Sequence, residues 1–161
     1  MRKQKGFSLI ELLIVVAIIL IIAAIAIPNL MRSKIAANEA SAVASTRTVV
    51  TSQITYNTTY QTYADTMKKM GPITGTTASS DAAGLIDATL AAAIDTTHLK
   101  SGYYFVLTST GTFPTTTDFQ IQTTPFDAKT GNRNFCTDST GVIRFEVALS
   151  GCSTTTSAPL Q

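Results

Sequence analysis

From Phe7 to Ile27 the chain runs for 21 residues with only two polar side chains, Ser8 and Glu11. As an α-helix this run is about 31 Å long, close to the hydrocarbon thickness of a bilayer. No water-soluble fold has an easy use for such a segment at its very start. The six residues before it, Met-Arg-Lys-Gln-Lys-Gly, are short and basic. Positive charge ahead of an apolar run keeps its start cytoplasmic and sends the remainder outward.

Three readings of this block compete. An ordinary secretory signal peptide has support in Ala24-Ile25-Ala26, which has the small-x-small form of a cleavage site. Its apolar core is nevertheless longer than usual, and it contains a carboxylate. A plain one-pass anchor leaves Glu11 unexplained, because a lone acid in lipid is costly and normally marks a function. The third reading uses both features. If a protease cuts between Gly6 and Phe7, a new α-amine arises four residues before Glu11. When copies stack side by side, the Glu11 carboxylate of one can neutralise the Phe7 amine of another. An acid in the first helical turn also suits the helix dipole.

The residues Gly6-Phe7-Ser8-Leu9-Ile10-Glu11-Leu12-Leu13-Ile14-Val15-Val16-Ala17-Ile18-Ile19, followed by Ala26-Ile27-Pro28-Asn29, resemble the prepilin signature of type IV pilins and type II secretion pseudopilins. The resemblance is strong over about residues 1–60. It implies a leader peptide of residues 1–6 ending at Gly6, removed by a membrane-embedded prepilin peptidase. Phe7 would become the N-methylated first residue, and Glu11 would serve methylation and subunit docking. The inner-membrane assembly platform and minor pilins would be partners, beside further copies of the chain itself. In such proteins the stretch around the helix proline is thought to unfold locally on assembly. Pro28 lacks an amide hydrogen and clashes with the carbonyl four residues earlier, so it marks either a helix kink or a simple boundary.

Downstream, residues 29–63 have a helical pattern. Ile35, Ala36, Ala40, Val43, Val50 and Ile54 form one stripe, and Val49, Tyr56, Tyr60 and Tyr63 a second. Gly71-Pro72 is a stop signal, and residues 64–100 read as a connecting region with a short helix from Asp81, as cap, through Ala93. Leu85, Ile86 and Leu90 would face inward. Residues 101–152 read as an antiparallel sheet: Tyr103–Thr108, the alternating Thr117–Thr123, Phe135-Cys136-Thr137, an Asp138-Ser139-Thr140-Gly141 turn, then Ile143, Phe145 and Val147 alternating with Arg144 and Glu146. The fold class expected is α+β. A long N-terminal helix has an apolar half, residues 7–28, that protrudes, and an amphipathic half that covers one face of the sheet. The order of helix, loop and sheet is also that of a pilin head. Residues 153–161 read as a mobile polar tail whose hydroxyls could carry glycans.

Cys136 and Cys152 are the only cysteines. An export signal with an even cysteine count favours a disulfide over two free thiols. Closing a loop of about 15 residues is worth roughly 3 kcal/mol in the chain-entropy model.

Little points to catalysis. His98 is the only histidine, no carboxylate pair has an acid/base context, and no glycine-rich phosphate loop follows a strand. The two cysteines lack zinc-site spacing, so no metal or cofactor is expected. Asp127 and Asp138 could be considered for calcium, but they read as turn formers. Without residues 1–6, nine basic side chains face ten acidic ones, which argues against nucleic-acid binding. The expected protein is a filament subunit and not an enzyme, single-pass in the inner membrane as precursor and extracellular or periplasmic when assembled. A type II secretion pseudopilin and a secreted soluble binding domain remain as alternatives.

Overall fold

A computed structural model describes residues 7–147 and 151–160, so Gly6 and the rest of the leader lie outside the described residues. The chain forms two units, Met1–Lys34 and Ile35–Gln161. Helix α1, Leu9–Tyr60, contributes to both. The rest of the second unit comprises α2 (Met67–Met70), α3 (Ala88–Ala92) and five strands: β1 (Tyr103–Thr110), β2 (Asp118–Pro125), β3 (Asn134–Asp138), β4 (Arg144–Glu146) and β5 (Ala158–Pro159). The strands form one antiparallel sheet in the order β1-β2-β3-β4-β5. The architecture is the α+β class expected: a long N-terminal helix followed by an antiparallel sheet.

The core of the second unit lies between α1 and one face of the sheet. Tyr56, Tyr103, Phe105, Phe119 and Phe135 are its largest fully buried side chains. Alternation along the strands puts Phe105, Thr123 and Phe135 in one cross-strand row and Leu107, Ile121 and Thr137 in the next. Each buried aromatic removes about 150–250 Å² from water, so these rings dominate the apolar stabilisation. On the opposite face Gln122, Cys136 and Arg144 are cross-strand neighbours. The bond from Cys136 to Cys152 holds the C-terminal segment there, with Cα atoms 5.5 Å apart. Both cysteines are buried, and β3 is covered on its two faces.

The stripe that α1 turns to this core is Glu39, Ala42, Thr46, Val49, Gln53 and Tyr56, spaced alternately by three and four residues. Val49 and Tyr56 come from the second expected stripe. Ala40 and Ile54 of the first stripe are exposed. Every second member is polar, and each is held. Glu39 accepts from the Asn132 N–H (3.0 Å) and from Arg133 Nε (2.7 Å). The Thr46 hydroxyl meets the Thr123 hydroxyl at 2.8 Å. The Gln53 amide makes two 2.9 Å bonds, one to each backbone group of Ala64. A buried polar group left without a partner costs about 1–3 kcal/mol, so these bonds fix the register of helix against head.

Several elements differ from the sequence expectation. Helix α1 ends at Tyr60, because Gln61 takes a left-handed conformation (φ 60°). Thr62 and Tyr63 then turn back to bond residue 116. The helix expected from Asp81 to Ala93 is limited to Ala88–Ala92, and its cap is Asp87, whose carboxylate accepts from the Leu90 N–H at 2.9 Å. The N–H groups of Ala83, Gly84, Leu85 and Ile86 are taken by carbonyls of Lys69, Met70 and Gly71, so they are lost to an earlier helical turn. Ile86 and Leu90 are buried and Leu85 partly so. Within the tail that was expected to be mobile, residues 157–160 are hydrogen-bonded to β4 and its flanks. Ala158 and Pro159 pair with β4, the Leu160 N–H reaches the Ile143 carbonyl at 2.8 Å, and the Ser157 hydroxyl donates to Glu146.

Two outcomes follow. Gln53→Ala strands the Ala64 N–H and carbonyl and leaves a void, and is expected to cost about 2–4 kcal/mol in denaturant unfolding of the oxidised protein. Burial, with Asp65 nearby, pushes the Tyr56 phenol up to about 12, and burial likewise raises Tyr103. Both hydroxyls donate to carbonyls, of Ser80 and Arg133. A pKa raised on folding gives stability that is complete below about pH 10 and is lost as pH rises through the folded value. The melting temperature should therefore fall between about pH 10 and 12. A Tyr56→Phe variant should show a shallower fall.

Candidate functional site

Among the described residues the first unit presents no core. Phe7, Leu9, Ile10 and the large apolar side chains through Ile27 are exposed, and the segment is long and apolar enough to cross a membrane. Apolar side chains cover its whole circumference, which in a helix means a non-aqueous surrounding or a packed neighbour. Glu11 is the one carboxylate in this surface and is itself exposed.

The helix starts at Leu9, so Ser8 is its cap residue and Glu11 its third position. The Glu11 carboxylate accepts the Ser8 backbone N–H at 3.0 Å, one arm of a capping box. The carboxylate thus folds back toward Phe7, the side on which cleavage at Gly6 would create a charged amine. The Ser-x-x-Glu pattern is legible in the sequence, and the cap on Ser8 adds to the helix-dipole, methylation and docking roles expected of Glu11.

Pro28 lies inside α1. Having no N–H, it leaves the Ala24 carbonyl without its usual helical donor. One residue on, the Asn29 carbonyl also accepts the Ser33 hydroxyl at 3.0 Å, a back-bond that competes with the helix's own ladder. The weakest helical turns are therefore those around Pro28.

The other candidate residues are structural. Asp127 accepts from the N–H groups of Lys129 (3.0 Å) and Thr130 (2.9 Å), and Asp138 from that of Thr140 (3.0 Å). Both carboxylates are used in turns, and the Gly141 that closes the second has φ 74°, a conformation costly for other residues. His98 bonds Asp95, whose carboxyl is held well below the usual range by hydrogen bonds from Thr97 and His98. Among the described residues no three His, Cys, Asp or Glu side chains gather as metal ligands would.

An apolar helix surface with one acid near its start, joined in sequence to an α+β head, is the arrangement set beside known proteins. Residues 1–27 match the family model described as the prokaryotic N-terminal methylation motif. The chain is 62% identical over 39 residues to the type IV wide pilus major component PilA4 of Thermus thermophilus, across 24% of this chain and 30% of that protein. It is 38% identical over 69 residues to the type IV major pilin protein PilA of Myxococcus xanthus, across 43% of this chain and 31% of that one. The matches therefore span under a third of either relative's length. No solved structure matches the chain at a significant level. The chain carries the prepilin signature and resembles type IV pilins.

Replacing Pro28 with Ala restores the missing donor to Ala24. In detergent micelles, amide exchange of residues 27–31 should slow by about tenfold or more, with exchange in the 39–56 stripe unchanged.

Proposed function

We propose that this chain is the precursor of a structural subunit of a type IV pilus. The single observation that carries the reading is Glu11: an exposed carboxylate, one helical turn past a Gly-Phe junction, in a surface otherwise fit only for lipid or other helices. A prepilin peptidase would hydrolyse the Gly6–Phe7 bond, and the freed amine of Phe7 would be methylated. Cleavage removes Arg2, Lys3 and Lys5 and leaves one positive amine beside one carboxylate. In hydrocarbon each charge alone is costly, and pairing them between neighbouring copies removes both costs. The charge pair sets the stagger of adjacent helices, and the apolar faces supply the adhesion.

The precursor would wait in the inner membrane with its N-terminus cytoplasmic, until the assembly platform and minor pilins draw it into an extracellular filament. The softened turns around Pro28 give α1 a place to bend or melt as it enters. A pseudopilin of a type II secretion system would use the same N-terminal chemistry. The names of the two relatives, both major pilus subunits, support the pilus. No step asks the head for catalysis, and its role is that of a spacer and outer surface.

Two measurements test the reading. Peptide mass analysis of sheared surface filaments should give a mature start at Phe7 with one added methyl group. A start at Ile27 would instead make this a cleaved secretory protein. Glu11→Ala should insert in the membrane at normal abundance yet lose filaments, because deleting one member of a buried pair costs about 3 kcal/mol or more, on the order of a hundredfold in docking. Filaments at normal abundance from that variant would refute the pairing.

A further inference from the structure

We propose that Arg32 and Lys34 are a headgroup anchor, two cations that grip lipid phosphates on the outer face of the membrane and set the depth at which the processed subunit waits. The proposal rests on the reading that residues 7–27 span the bilayer. The apolar run ends at Ile27, and Arg32 lies five residues on, a rise of about 7.5 Å along the helix. The polar layer on each side of a bilayer is about 5–8 Å thick. Arg32 therefore falls at the level of the phosphates when the run fills the hydrocarbon, and Lys34, about 10.5 Å past Ile27, reaches back to that level along its flexible stem. They are two positions apart, about 200° around the helix axis, and so reach lipids on two sides.

Neither cation has a partner of its own. Both are exposed, and among the described residues neither side chain makes an ion pair or hydrogen bond. There is no Asp or Glu from Leu12 to Asn38. The next acid, Glu39, is buried and held by Asn132 and Arg133. A second copy offers no better match from its own assembly segment. Its only carboxylate between residues 7 and 34 is Glu11, which the proposed docking gives to Phe7. Phosphate is the anion left at that height.

Processing makes the anchor matter. In the precursor the run is bracketed by Arg2, Lys3 and Lys5 before it and by Arg32 and Lys34 after it. Cleavage at Gly6 discards the inner bracket and leaves a single amine. The outer pair is then the charge that opposes deeper entry, by tilting or sinking, of the Ile35-Ala36-Ala37 stretch that follows it.

The test uses the full processed chain in nanodiscs of equal parts phosphatidylethanolamine and phosphatidylglycerol. Line broadening of each backbone amide by a water-soluble gadolinium chelate reads its depth. In the unmodified protein the shielded block should end near Leu30. In the Arg32→Gln/Lys34→Gln variant it should extend to about Ala37, roughly two turns further. The charge-keeping Arg32→Lys/Lys34→Arg variant should keep the original boundary. An unchanged boundary in the glutamine variant overturns the proposal. So does loss of filaments from that variant with the boundary unchanged, which would give the cations to a carboxylate on another copy. If residues 9–27 are broadened even in the unmodified protein, the membrane-spanning reading fails and takes the anchor with it, a result distinct from an unmoved boundary.

Discussion

One helix has to satisfy two surroundings, and the polar groups along it show how the change is managed. Between Leu12 and Ile27 it offers nothing that can hydrogen-bond from a side chain. Between Glu39 and Gln53 every second residue of its inward stripe is polar and fully engaged by the head. An apolar stripe would stick to any greasy surface, whereas Glu39, Thr46 and Gln53 are satisfied in one register only. A sliding helix would strand several buried polar atoms at about 1–3 kcal/mol each. The head is thereby fastened to the second half of α1, and under the proposed function the first half exchanges one apolar surrounding for another.

Glu11 obeys the same rule with a different partner. In the described chain it is satisfied by the Ser8 N–H, so its carboxylate is not bare even before any neighbour arrives. Docking under the proposed scheme is then an exchange, in which a hydrogen bond to a neutral amide gives way to an ion pair with an amine. Bonds to charged donors are about twice as strong as neutral ones. The gain comes from that difference, and it is larger where water is excluded.

The parts of this molecule that were legible in sequence are those governed by one physical requirement at a time. The apolar run, the strands with Phe119 and Ile121 or with Phe145, and the Asp138–Gly141 turn each follow from periodicity or turn chemistry. The inward stripe of α1 was misread because Glu39, Thr46 and Gln53 have the character of an exposed face. Only their distant partners, at Arg133, Thr123 and Ala64, make burial affordable. The helix expected from Asp81 was shortened for a related reason: carbonyls of the segment around α2 captured the N–H groups that would have closed its first turns. The tail looked mobile because Ser and Thr dominate it. Cys152 and β4 give it a place that composition does not announce.

At the functional end the balance is reversed. Glu11 and Pro28 stand out in sequence because they violate their surroundings, while the structure adds the direction in which Glu11 points. An acid and two cations without ionic partners are costly once the helix lies in hydrocarbon, and a missing donor weakens it anywhere. Each becomes favourable when something outside the chain supplies the missing half: an amine, a bent path, a phosphate. Under the proposed function, residues 7–34 are one part of an interface whose other parts are lipid and further copies of the same segment. The head is the opposite case, since its buried carboxylate and buried amide find their partners within the same fold.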